Sequence, residues 1–123
     1  METLHITRNE IDEQGRYIGE FLVGSWAGNI EIEAGLGYVR FAGRVSAAGC
    51  IIAKAGSGIK AGYIEAGLGI KAGGGIEAGF RIFAGICTWR IPTDAERAIT
   101  CARLIAGEVA YGTLVETAAK GSE

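Results

Sequence analysis

The chain has 123 residues, of which 21 are Gly and 19 Ala, so about a third of it carries almost no side chain, far outside ordinary globular usage. Apolar residues make up 49% and charged residues 21%, with a net charge of −2, which excludes a disordered charged tail and provides no field to gather nucleic acid or anionic lipid. The length suits one domain with one core, and partners are expected to be chosen by shape.

In chain order, residues 1 to 26 alternate in Leu4-His-Ile-Thr7 and in Tyr17-Ile-Gly-Glu-Phe-Leu-Val23, with a polar turn from Asn9 to Gly15 between them. This pattern predicts a hairpin or a first irregular coil that acts as an N-terminal cap. The same stretch carries Glu2, Arg8, Glu10, Asp12, Glu13, Arg16 and Glu20, and no long apolar run occurs anywhere. Neither a signal peptide nor a membrane span is expected.

Residues 27 to 86 are a repeat. The dipeptide Ala-Gly recurs with its Gly at 28, 35, 43, 49, 56, 62, 67, 73, 79 and 85, about every six residues. The regular part is Ser57-Gly-Ile-Lys-Ala-Gly62, Tyr63-Ile-Glu-Ala-Gly67, Leu68-Gly-Ile-Lys-Ala-Gly73, Gly74-Gly-Ile-Glu-Ala-Gly79 and Phe80-Arg-Ile-Phe-Ala-Gly85. A helix would scatter these glycines around its cylinder at roughly 1 kcal/mol each relative to Ala. In an extended backbone, Ile and Ala two apart point inward together while the intervening Lys or Glu points out. The following Gly, free to take positive φ, turns the chain before the next short strand. Repeated corners predict an all-β, single-domain β-solenoid with an Ile/Ala interior. Three short strands per coil, about 18 residues, place Lys60 over Glu77, Tyr63 over Phe80 and Cys50 over Leu68 over Ile86. The same register also stacks Lys54 on Lys71. Two strands per coil would instead stack Lys60 on Lys71 and Glu65 on Glu77, which like-charge repulsion disfavours.

Residues 87 to 116 read as a C-terminal cap or continued coils. Thr93 and Glu96 have capping-box spacing and predict one short helical turn; Ile99–Leu104 and Glu108–Val115 return to alternation. Residues 117 to 123 are expected to fray. The irregular ends should act as caps, because an uncovered end invites stacking without limit.

The residues of the repeat resemble the hexapeptide-repeat left-handed β-helix, whose unit also has one inward aliphatic residue in six and three units per turn. Here the small residue follows the aliphatic by two, where that family has it two before. The Ile-Lys-Ala-Gly and Ile-Glu-Ala-Gly units, over residues 28 to 115, are also similar to short repeat proteins of bacteriophages and other mobile elements. That likeness implies an inhibitor of a host defence complex, of the anti-CRISPR kind.

Chemistry is sparse. His5 is the single histidine, lies near the terminus, and has no Cys or Asp arranged beside it as ligand or triad. Hexapeptide-helix enzymes are mostly acyltransferases with a histidine base, and the repeat contains no histidine, so no enzyme is expected. Glu65 and Glu77 alternate with Lys60 and Lys71 as a solvated charge lattice. Gly-x-Gly strings lack the helix and the Lys-Ser/Thr pair of a phosphate loop, and the repeat has no Asp for a calcium site. No cofactor or metal is expected. Residues 28 to 85 contain no Thr for an ice-binding face and carry six Lys/Arg against four Glu, too basic for DNA mimicry. Cys50, Cys87 and Cys101 match neither a redox pair nor a zinc knuckle and read as small buried hydrophobes of a reduced, cytoplasmic protein.

The outward aromatics remain: Tyr63 and Phe80 at one corner, with Phe41, Phe83 and Trp89 elsewhere, either anchoring an interface or sealing the core. Tyr63, Phe80 and Phe83, with Lys60 and Glu77 beside them, are the candidate contact residues. The expected function is binding of a protein partner without catalysis. A self-assembling structural solenoid is the alternative, and an acyltransferase dependent on His5 is the third. Membrane association and direct nucleic-acid binding are not expected.

Overall fold

Alternation of Ile and Ala is realised as parallel β-structure in the computed structural model, which describes residues 3–18, 26–41, 43–86, 91, 93 and 95–116. The strands are β1 (Thr3–Ile6), β2 (Asn29–Ile32), β3 (Gly37–Arg40), β4 (Arg44–Ala47), β5 (Ile51–Ala53), β6 (Ser57–Ala66), β7 (Ile70–Ala72), β8 (Gly75–Ala84), β9 (Ala98–Cys101), β10 (Arg103–Tyr111) and β11 (Thr113–Glu116). The protein is all-β. Among the described residues, helical backbone is confined to two 3-10 turns, Arg8–Glu10 and Ala95–Arg97. The second follows the expected capping box, with Thr93 N donating to Glu96 Oε1 at 3.0 Å and Glu96 N to Thr93 Oγ1 at 3.3 Å. A single turn forms and gives way at Ala98 to β9. No helix among the described residues is long and apolar enough to cross a membrane.

Two sheets form. One has the order β1-β2-β5-β7-β9-β11; the other has β10-β8-β6-β3, with β4 also pairing β6. Among the described residues every strand pairing is parallel. In the first sheet Leu4, Ile30, Ile51, Ile70, Ile99 and Leu114 stack in one column. In the second, Val39, Ile59, Ile76 and Leu104 make a column, and Val45, Ile64, Ile82 and Val109 another. Ile51, Ile59, Ile64, Ile70, Ile76, Ile82 and Ile99 are all fully or almost fully buried in the core that both sheets share, each worth about 1.5–3 kcal/mol relative to exposure. Ala53, Ala66, Ala72, Ala78 and Ala84 fill the intervening buried positions. Small and branched residues thus alternate along the interior.

The first segment pairs in parallel: β1 lies on β2. An antiparallel bridge, Ile11 with Tyr17, closes the polar turn. Most of the Tyr17–Val23 stretch, and the expected tail at 117–123, lie outside the described residues.

Two expectations about the repeat are corrected. Not every Ala-Gly glycine is a left-handed corner. Gly35, Gly43, Gly56 and Gly85 have positive φ, but Gly62, Gly73 and Gly79 do not, and β6 and β8 run unbroken through Gly62 and Gly79. Gly62 is needed for closeness, since a Cβ there would lie 2.6 Å from the Gly43 carbonyl oxygen. Lys54 does not stack on Lys71, because Ala53 pairs with Ala72 and Lys71 pairs with Ile52 and Thr100. The nineteen-residue step from Ile51 to Ile70 carries Lys54 past Lys71, and its ammonium instead meets Glu31 Oε1 at 3.0 Å.

Candidate interaction surface

The regular repeat assembles most of the candidate contact residues on one corner of the second sheet. Lys60 pairs with Glu77 across β6 and β8, and their side chains form an ion pair at 3.0 Å. Two steps on, Tyr63 pairs with Arg81, not with Phe80. Between the Ala61–Ala78 and Tyr63–Arg81 pairs, β6 has one residue, Gly62, and β8 has two, Gly79 and Phe80. The extra residue makes a bulge that turns Phe80 outward and lays its ring on Tyr63, centroids 5.1 Å apart and planes at 20°. Tyr63 is 38% and Phe80 62% exposed, so the pair is stacked yet open to a partner. Phe80 also covers the bare backbone of Gly62.

Phe83 lies further along β8, half-buried, between Glu65 and Tyr111 on the neighbouring strands. It shares a strand with Phe80 but is separated from the stacked pair by the inward Ile82. Around it, Arg44 faces Glu65 at 3.8 Å and Arg81 faces Glu108 at 3.7 Å. Phe41, one of the outward candidates, points inward: it is buried against Tyr17, ring centroids 5.5 Å apart, and so belongs with the core-sealing aromatics. Trp89 and Cys87 lie outside the described residues.

Two residues that the repeat pattern passed over join this surface. Tyr38 is exposed and its ring lies close to Gly58, where an added Cβ would come within 2.9 Å of two ring carbons. Arg40 sits in register with Lys60 and, with Phe41, Gly62 and Glu77, borders a groove of about 320 Å³. Neither had a signal in the sequence: Tyr38 meets Gly58 and Arg40 meets Lys60 through a twenty-residue step that the six-residue period does not predict.

Away from this corner, His5 Nδ1 is 3.6 Å from Glu31 Oε1. Glu31 is held below the ordinary carboxylate value, chiefly by the hydrogen bond from Lys54. Among the described residues no cluster of three His, Cys, Asp or Glu is placed to hold a metal ion. Cys101 is fully buried, and burial together with the charge of Glu116 pushes its thiol up to about 11; Cys50 is half-buried and free. Compared with protein-family models, curated proteins and solved structures, the chain matches none.

Proposed function

We propose that the chain is a β-solenoid of about three short strands per coil that works, without catalysis, by presenting a rigid surface to another protein. Support for the winding comes from three columns met in chain order and met again one coil later: Ile51 and Ile70 are 19 residues apart, Ile59 and Ile76 are 17, Ile64 and Ile82 are 18. The contact reading is carried by one observation, the exposed Tyr63–Phe80 stack beside the Lys60–Glu77 ion pair. Rigid aromatics next to fixed charge lose little entropy on docking and anchor interfaces disproportionately. An inhibitor of a host defence complex, of the anti-CRISPR kind, is the concrete form that the likeness to mobile-element repeats suggests.

The rival reading, end-to-end polymerisation, is weakened by the terminal strand. β10 carries register breaks at Ile105, Gly107 and Ala110, and its Leu104 N–H is taken by the Glu116 carboxylate at 2.8 Å. Bulges and local caps are the devices by which sheet edges resist further stacking. The test is capture from the native cell by the tagged chain, compared with Tyr63→Glu, Phe80→Glu and, on the other sheet, Lys71→Glu. A partner retained by Lys71→Glu and lost by both aromatic variants supports the reading. A partner that ignores Tyr63→Glu and Phe80→Glu, or concentration-dependent filaments in size-exclusion chromatography, overturns it.

A further inference from the structure

We propose that Arg40 is a carboxylate-binding anchor that receives an acidic side chain of the protein partner, with an apolar residue of the same segment seated on either side. The inference rests on the contact-surface reading above and names the chemistry that this surface selects.

Three cations stack in consecutive positions. Arg16 bridges in parallel to Arg40, and Arg40 pairs with Lys60, at the roughly 4.8 Å spacing of neighbouring strands. Like charges in directly opposed positions are destabilising, and the outer two are neutralised locally. Arg16 Nε meets Asp12 Oδ2 at 2.9 Å, and Lys60 Nζ meets Glu77 Oε2 at 3.0 Å. Arg40, exposed between them, has no carboxylate within ion-pair distance among the described residues. An added carboxylate would relieve the stack and could engage the planar guanidinium with two parallel hydrogen bonds.

The surroundings define what carries that carboxylate. Arg40 and Phe41 border two shallow hollows, one of about 340 Å³ shared with Tyr17 and Ile18, the other of about 320 Å³ shared with Lys60 and Gly62. Phe41 and Tyr17 are buried beneath them. Ile18, 58% exposed, lines the first; beside the second, Phe80, 62% exposed, lies against Gly62. The pattern is apolar, cationic, apolar, and its complement is an extended segment with an apolar, an acidic and an apolar residue at every second position, where side chains share a face. A nucleic-acid backbone fits less well, because one unpaired cation cannot track successive phosphates.

The probe is a synthetic dodecapeptide containing Phe-Ser-Glu-Ser-Phe, set against its Phe-Ser-Gln-Ser-Phe analogue and against a thymidine dodecamer, read by amide chemical shifts of the full chain. The expected result is that the Glu peptide moves Tyr17, Arg40 and Phe41, and that the Gln peptide or the Arg40→Gln variant binds at least about tenfold more weakly, as loss of a charge-assisted bond implies. Unchanged strand signal in circular dichroism shows that Arg40→Gln remains folded. Equal binding of the Glu and Gln peptides, no loss with folded Arg40→Gln, or stronger, salt-sensitive binding of the oligonucleotide overturns the proposal. In cell capture, a partner that ignores Arg40→Gln but is lost with Tyr63→Glu removes this anchor and leaves the contact surface standing; one that ignores both removes the surface itself.

Discussion

Phe80 rests on Tyr63 because β8 holds one residue more than β6 between the Ala61–Ala78 and Tyr63–Arg81 pairs. The stack therefore depends on a bulge and is a local feature of the corner. The two rings should be energetically coupled by about 0.5–1.5 kcal/mol, the range for aromatic pairs beyond their area. Urea unfolding of the parent, Tyr63→Ala, Phe80→Ala and the double variant measures this. A coupling of zero would mean that the rings meet without holding each other.

Ser57 is the one fully buried polar side chain among the described residues. Its hydroxyl donates to the Glu33 carbonyl and accepts from Leu36 N–H at 3.0 Å, so it fastens the turn between β2 and β3 to the start of β6. Ser57→Ala leaves both backbone groups without their partner and should cost about 1–3 kcal/mol. Ser57→Cys, nearly isosteric but a weak donor and acceptor, should lie between. A loss below about 0.5 kcal/mol in chemical unfolding would show that water replaces the hydroxyl.

The Lys60–Glu77 and Ile-on-Ile pairings were legible in the sequence because residues 57 to 85 keep a nearly constant period, so a stacking step of 17 or 18 residues follows from arithmetic alone. Arg40 was not legible. Its neighbours lie 24 residues before it at Arg16 and 20 after it at Lys60, and irregular turns set those steps. The bulge at Phe80 was hidden for a related reason: the unit Phe80–Gly85 has six residues where the unit beside it, Tyr63–Gly67, has five, and only the paired backbone reveals which residue is surplus. Phe41 could be read as inward or outward because it follows the strand, where alternation no longer fixes direction.

Asp12 and Glu31 should titrate below ordinary carboxylates. Asp12 is held down first by the Arg16 backbone N–H, at 2.9 Å, and then by the Arg16 side chain; Glu31 is held down by Lys54. A folded-state value below the unfolded one contributes stability that is present above the unfolded pKa and is lost as pH falls through the folded one. The loss should begin near about pH 4 and continue downward, with Asp12→Asn flattening the acid limb. Carbon-detected NMR titration checks the order, and a value for either group at or above that of a free carboxylate would contradict the observed contacts.

Cys101 should be the slower of the two described cysteines to alkylate. Its thiol is pushed up to about 11 and its side chain is fully buried, and the thiolate is the reactive species. Because the folded state holds this proton more tightly, stability from this site should fall as pH rises from about 8.5, where an unfolded thiol ionises, toward about 11. Iodoacetamide labelling of the native chain at mildly alkaline pH, read by peptide mass, should modify Cys50 first. Equal labelling would mean that β9 opens readily.

The glycines of the repeat separate into two kinds that the sequence writes identically. At Gly35, φ is +77° and nothing lies within 4 Å of an added Cβ, so Gly35→Ala meets only the left-handed penalty of about 1–2 kcal/mol. Gly62 has no left-handed φ, but its Cβ would press to 2.6 Å on the Gly43 carbonyl oxygen. That oxygen is pinned by hydrogen bonds from both Gly62 N and Tyr63 N, at 2.6 and 2.9 Å, and cannot yield without breaking the pairing of β4 with β6. Gly62→Ala should therefore cost more, at or above the upper end of the roughly 1–3 kcal/mol typical of overpacking, and should also move Phe80 off the step it covers. Thermal unfolding of the two variants side by side decides the matter. If Gly35→Ala proves the more damaging, the glycines serve mainly to bend the chain, and close approach of neighbouring strands is not what the Ala-Gly period secures.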